Sequence, residues 1–408
     1  MSDIATRPGR PKGGIPRGLS ATGPVLFSYG FRPFFLGGAI WACTVMVLWI
    51  LALSGRIDIG GDYGAMAWHG HEMLFGFASA IVAGFLLTAV PNWTGRLPVS
   101  GPPLAWLFLL WVIGRVALLA SGQIGLVPAL VLESAFLPVL LVICVREIVA
   151  GRKWADLKVI AGLGGLAIAN VCFHYEAIAA DGPDHSERLA VAAYVMMIVI
   201  VGGRMLPSFT RNWLNKSGRT DFPVPYNNYD LAVIILSVPA FALWVILPDN
   251  PVTGMLALIL AAMQAVRLWR WRGWTTTREP LVAVLHLAYA FVALGFLAIG
   301  AAAFGLIEQI SALHLLSVGT ITAMMIAVMT RATRGHTGRE LTASRLTCAS
   351  YAAIFLCAVI RPLAEVMPDH LAAIYAVAGM LWLGAFGAFL FEYGPMLVLR
   401  RRQPAGAA

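Results

Sequence analysis

Charge is what this 408-residue chain has least of. Only 12% of its residues are Asp, Glu, Lys or Arg against 59% hydrophobic, with a mean hydropathy of +0.79. That balance excludes an ordinary soluble globular protein. Cysteine is scarce too, with Cys43, Cys144, Cys172, Cys348 and Cys357 all inside apolar runs. None forms C-x-x-C or C-x-x-C-H, so nothing points to a zinc ribbon or to covalent haem attachment; they read as small buried apolar residues. No Walker motif is present to energise an ATP-driven pump. The basic segment "RPGRPKGGIPRG" holds no aromatic residue to stack on a base. The net charge of +9 therefore calls for no nucleic-acid partner; topology signalling and contact with anionic lipid account for it. No small-residue cleavage site follows the first apolar run, which is a full span and not a cleavable signal.

What the chain has in abundance is hydrocarbon. Apolar runs of about twenty residues recur, each long enough to cross roughly 30 Å of bilayer core. They fall at about 34–54, 66–90, 103–121, 126–148, 157–180, 188–207, 229–247, 252–270, 281–304, 309–330, 344–363 and 371–398. The expected fold is an all-α integral membrane protein of about twelve transmembrane helices over 27–398, with a disordered basic tail at 1–26 and a short tail at 399–408. Charge tests this independently. With the N-terminus inside, 24 of the 29 Lys and Arg residues fall on one side of the twelve runs. The positive-inside rule makes that side, and both termini, cytoplasmic.

With orientation set, the histidines sort by depth. The second run opens "MAWHGHEMLFGF", placing His69, His71 and Glu72 at its outer end. His174 lies near the outer end of the fifth run and His314 near the outer start of the tenth. His286 lies nearer the inner side on the ninth, and His336 follows the inner end of the tenth. A lone histidine in a membrane is explained by an interhelical hydrogen bond. Four gathered toward one face, His69, His71, His174 and His314, read instead as metal or haem ligands. At about 100° per residue, His69 and His71 point to nearly opposite faces and cannot share one metal if both are helical. Glu72 reads either as acceptor for the second N–H of a ligating imidazole or as an acid near a helix N-terminus. Met324, Met325 and Met329 offer thioethers to copper(I) or simply pack. His286 and Tyr289 share a face, and with Arg204 and His336 they make a candidate second cofactor site or proton-handling group. His336 alternatively contacts lipid headgroups.

There is also a hint of repetition. From His71 to Arg96 is 25 residues (96 − 71), ending "NWTGR", and from His314 to Arg339 is again 25 (339 − 314), ending "GHTGR". Spans two, six and ten would then occupy equivalent places in three groups of four helices, a layout similar to that of haem-copper oxidases. Finally, "SYGFRPFFLGG", "WHGHEMLFGF", "GFLLTAVPNWTG", "GGRMLPSFTRNW", "LHLAYAFVALG" and "HTGREL" occur in order, and together they resemble the NnrS family. The resemblance implies a twelve-span bacterial inner-membrane protein with haem b and copper, linked to nitric oxide metabolism, nitrosative stress and denitrification. It supplies neither the reaction nor the electron donor. Depth and spacing favour His71 and His314 as axial haem ligands, or one of them as the axial ligand with an open position opposite for nitric oxide, with His69 and His174 for copper or the haem's surroundings; the competing assignment makes His69 the haem ligand. A reading from a different class is a carrier or chaperone that passes copper or a small solute without redox turnover.

Overall fold

The computed structural model describes residues 22–180 and 182–401. Most of the basic tail expected at 1–26, and most of the tail expected at 399–408, lie outside them. The described residues form helices and turns with no strand. Twelve helices are long and apolar enough to cross a membrane, which makes this a multi-pass membrane protein. They are α1 Phe31–Leu53, α2 Ala65–Thr94, α3 Pro102–Leu119, α4 Leu126–Ala150, α5 Trp154–Ala179 and α6 Asp184–Lys216. The second half contributes α7 Asn228–Ile246, α8 Pro251–Arg270, α9 Pro280–Ala303, α10 Gln309–His336, α11 Arg345–Val366 and α12 Pro368–Val398. Several outrun their apolar runs, because helical hydrogen bonding continues into polar ends; α6 carries on through Arg204 and Arg211, and α2 continues past Pro91. All five cysteines are free, and each lies on a spanning helix.

Successive helices pack as antiparallel neighbours, and α12 returns against α1 to close the circuit. The interior belongs to four helices. The most apolar windows of α2, α6, α9 and α10 are 83%, 61%, 67% and 72% buried, whereas the other eight are only 28–44% buried and offer apolar surface to lipid. Among the four are α2, α6 and α10, the three that the repeat makes equivalent. The backbone strengthens that equivalence. Immediately after His71, residues Glu72–Ala78 of α2 are π-helical; immediately after His314, residues Leu315–Thr322 of α10 are π-helical too. Such stretches are rare, and they concentrate at functional sites. The same distortion at the same register in both 25-residue segments fits a shared origin for the two helices.

An even number of spans puts the ends of α1 and α12 on one face, here called the basic face because most of the Arg and Lys lie there. The charge asymmetry predicts that this face is cytoplasmic. Reporter fusions after Gly101, Arg152, Ser217 and Gly338 should read cytoplasmic, and fusions at Asp58, Asp184 and Asp249 periplasmic. A consistent inversion would overturn the orientation.

Candidate functional site

Near the face opposite the basic one, α2, α3, α4 and α5 enclose a polar cluster, one to two helical turns inside their ends. His71 and Glu72 are fully buried, and Arg115, Glu133, Asn170 and His174 are nearly so. Such burial demands partners. The Arg115 guanidinium donates from Nη1 to Glu72 Oε1 at 2.6 Å and from Nη2 to Glu133 Oε1 at 2.5 Å. Trp41 Nε1 donates to Glu72 Oε2 at 2.6 Å. Asn170 donates to Glu133 Oε2 at 2.8 Å. Gly76, one turn beyond Glu72, makes the junction feasible: a Cβ there would collide with Glu72 Oε2, Arg115 Nη1 and Trp41 Nε1.

Two imidazoles complete the cluster. His174 Nε2 lies 2.8 Å from Glu133 Oε2, and His71 Nε2 lies 3.4 Å from the same oxygen. The rings stack at 4.7 Å between centroids, with Phe75 and Phe173 packed against His71. On the far side of each ring, Nδ1 has its own partner: Glu72 Oε1 at 3.2 Å for His71, and the Tyr63 hydroxyl at 3.0 Å for His174. Burial, reinforced by the charges of Glu133 and Glu72, holds the Tyr63 phenol well above its ordinary pKa, so it remains a neutral hydroxyl. With the imidazole proton on Nδ1, both Nε2 lone pairs converge on the Glu133 carboxylate. These three groups offer ligand atoms within 4.8 Å of one another. Oriented imidazoles with their outer N–H groups engaged are what a metal site requires. Charge points the same way: two carboxylates face one guanidinium (2 − 1), leaving one negative charge for a bound cation or an imidazolium to neutralise. His71 Nε2 also lies 2.9 Å from Asn170 Oδ1. Both ring nitrogens of His71 thus face oxygen acceptors, the pattern of an imidazolium, so a proton and a metal are alternatives here.

The remaining histidines separate. His69, on the opposite side of α2, stacks on Trp49 of α1 at 4.4 Å and lies within electrostatic reach of His314 and Arg361. Its Nδ1 is buried with no hydrogen-bond partner among the described residues. His314 Nδ1 meets the Ile310 carbonyl at 2.9 Å, one turn back on its own helix. The structure thus brings His71 together with His174, while His69 and His314 lie on different helices within electrostatic reach of each other. His286 Nε2 meets the Thr210 hydroxyl at 2.7 Å, under a Gly273 backbone that leaves no room for a Cβ. His336 rests on Tyr29 and Phe31 at the basic face. The proposed grouping of His286, Tyr289, Arg204 and His336 does not form. Tyr289 belongs to Arg267 and Gln264, and Arg204 to Asp156.

A model of the NnrS family, described as "NnrS protein", matches residues 25–401. The chain belongs to the NnrS family. It is therefore a nitric oxide-related membrane protein. Among curated proteins none matches it. In this NnrS protein Glu133 is the site residue that motif reading missed, with Asn170 and Tyr63 around it. A signal existed: Glu133 is a carboxylate well inside an apolar run whose other acid, Glu147, lies at the run's end, as Arg115 is a lone guanidinium inside its run, and such residues mark sites by default.

Proposed function

We propose that this protein holds a redox-active metal at His71, His174 and Glu133 and a b-type haem at His69 and His314, and that it binds or converts nitric oxide to relieve nitrosative stress at the bacterial inner membrane. The observation that carries the reading is the convergence of two imidazole Nε2 atoms on Glu133 Oε2, each ring fixed from behind. Two imidazoles and a carboxylate suit copper(II), the metal the family resemblance implies. The carboxylate favours iron(II) as a second reading, because two histidines and one carboxylate with open positions are a non-haem iron donor set. For haem, the donors that fit are His69, with its unpartnered Nδ1, and His314 from another helix near the same face. Since His71 is engaged with α4 and α5, this favours His69 over His71 as the haem ligand.

When bound, these groups supply nitric oxide binding and one-electron chemistry. The chain's own residues do the positioning. Tyr63 and Glu72 hold the two Nδ1 atoms and so orient both rings, Arg115 restrains both carboxylates, and Phe75 and Phe173 limit water at His71. The enclosure of His71 and Glu72 supports a resident metal over a carrier's transiting ion. Deleting the gene is expected to sensitise cells to nitric oxide and nitrosothiols more than to copper. Sensitivity to copper with no nitrosative effect would favour the carrier.

A further inference from the structure

The core helices α2, α6 and α10 part in the half of the molecule nearer the basic face, leaving a cavity of about 480 Å³. Phe85, Met205 and Met325 line its walls, and Tyr194, whose hydroxyl donates to the Leu74 carbonyl at 2.6 Å, stands near its inner end. Along α10 the lining runs from Met324 to His336, twelve residues (336 − 324), or about 18 Å of helix. Half of a bilayer's hydrocarbon core is roughly 15 Å. The cavity is therefore about as long as one acyl chain of one leaflet.

Its polarity is one-sided. The walls are apolar, and the functional groups gather at the mouth, where Asn92, Arg331 and His336 lie. Arg331 has no hydrogen bond or ion pair among the described residues, and its guanidinium lies over Phe209 at 4.3 Å. The carboxylate whose charge acts on it is Glu279, which is shared electrostatically with Lys216 and Arg334. His336 has no hydrogen bond among the described residues, and its charged neighbours are Arg32 and Arg401. Among the described residues Arg32 itself donates only to the carbonyls of Met396, Leu397 and Leu399. The mouth is thus cationic with little acid to balance it, as in basic pockets between spans that take anionic headgroups. An imidazole occurs at the mouth only, so the body offers no histidine to a haem iron.

We propose that this cavity holds one acyl chain of an anionic amphiphile entering from the leaflet at the basic face, with its head against Arg331 and His336. The test uses the full-length protein in phosphatidylcholine nanodiscs and two probes, nitroxide-labelled stearate and phosphatidylglycerol carrying the nitroxide on an acyl chain. Spin resonance reports the immobilised fraction of each. The wild type is expected to immobilise at least one probe. Ala89→Trp, which fills the cavity, should abolish that signal. Arg331→Gln should weaken binding about fivefold, with Arg331→Lys restoring most of it. Immobilised stearate alone identifies a free fatty acid, whereas immobilised phosphatidylglycerol identifies a phospholipid chain. No immobilised component with either probe, or one unchanged by Ala89→Trp and Arg331→Gln together, would overturn the proposal. So would loss of a haem absorption band in Ala89→Trp and Arg331→Gln, which would make the occupant a porphyrin.

Discussion

His71→Ala, His174→Ala and Glu133→Gln are each expected to purify with little or no non-haem metal while keeping whatever haem absorption the wild type has. Each removes one of three converging donors and leaves the His69 side of α2 untouched. Tyr63→Phe, which removes only the partner of His174 Nδ1, should weaken metal binding about 10–100-fold. Elemental analysis of the four variants against the wild type checks this. Undiminished metal in all of them would place it elsewhere.

The second large effect concerns Arg115. It is the shared partner of two carboxylates that have no water to turn to. Arg115→Leu leaves Glu72 and Glu133 facing each other through a low dielectric, a loss of the kind that costs about 3–5 kcal/mol. The expected outcome is a sharp fall in monodisperse protein after detergent extraction. Adding Glu133→Gln to Arg115→Leu removes one of the stranded charges and should recover part of that fall. If Arg115→Leu behaves like the wild type in thermal unfolding by size-exclusion, the cluster is not held together by this guanidinium.

Much of this was readable in the sequence, for identifiable reasons. Spans are legible because hydrocarbon thickness sets their length. The opposed directions of His69 and His71 follow from helical geometry, because both precede the π-helical stretch. That one fact separates the two sites: one imidazole turns toward α1, the other toward α4 and α5. Glu133, Asn170 and Tyr63 were not legible as site residues. Nothing in their local sequence marks them as partners of His71, and only the packing of α2 against α4 and α5 brings them to it. The π-helical stretches were equally hidden, since nothing in "EMLFGFA" or "LLSVGTIT" distinguishes them from apolar α-helix. The pairing of His71 with His314, attractive from the matched 25-residue spacings, treats equivalent register as equivalent direction. Spacing fixes depth along a helix axis but not the neighbour a side chain meets: His71 meets Glu133 and His174, and His314 Nδ1 meets the Ile310 carbonyl of its own helix.

The central claim is that α2 serves two separate centres, one on each side. The most direct measurement is the visible spectrum together with metal content of purified wild type and of His69→Ala, His71→Ala, His174→Ala and His314→Ala, expressed with adequate haem supply. The account predicts a wild-type Soret band that is lost in His69→Ala and His314→Ala, and non-haem metal that is lost in His71→Ala and His174→Ala. A Soret band lost in His71→Ala but kept in His69→Ala, or one lost only when His286 or His336 is replaced, would contradict it.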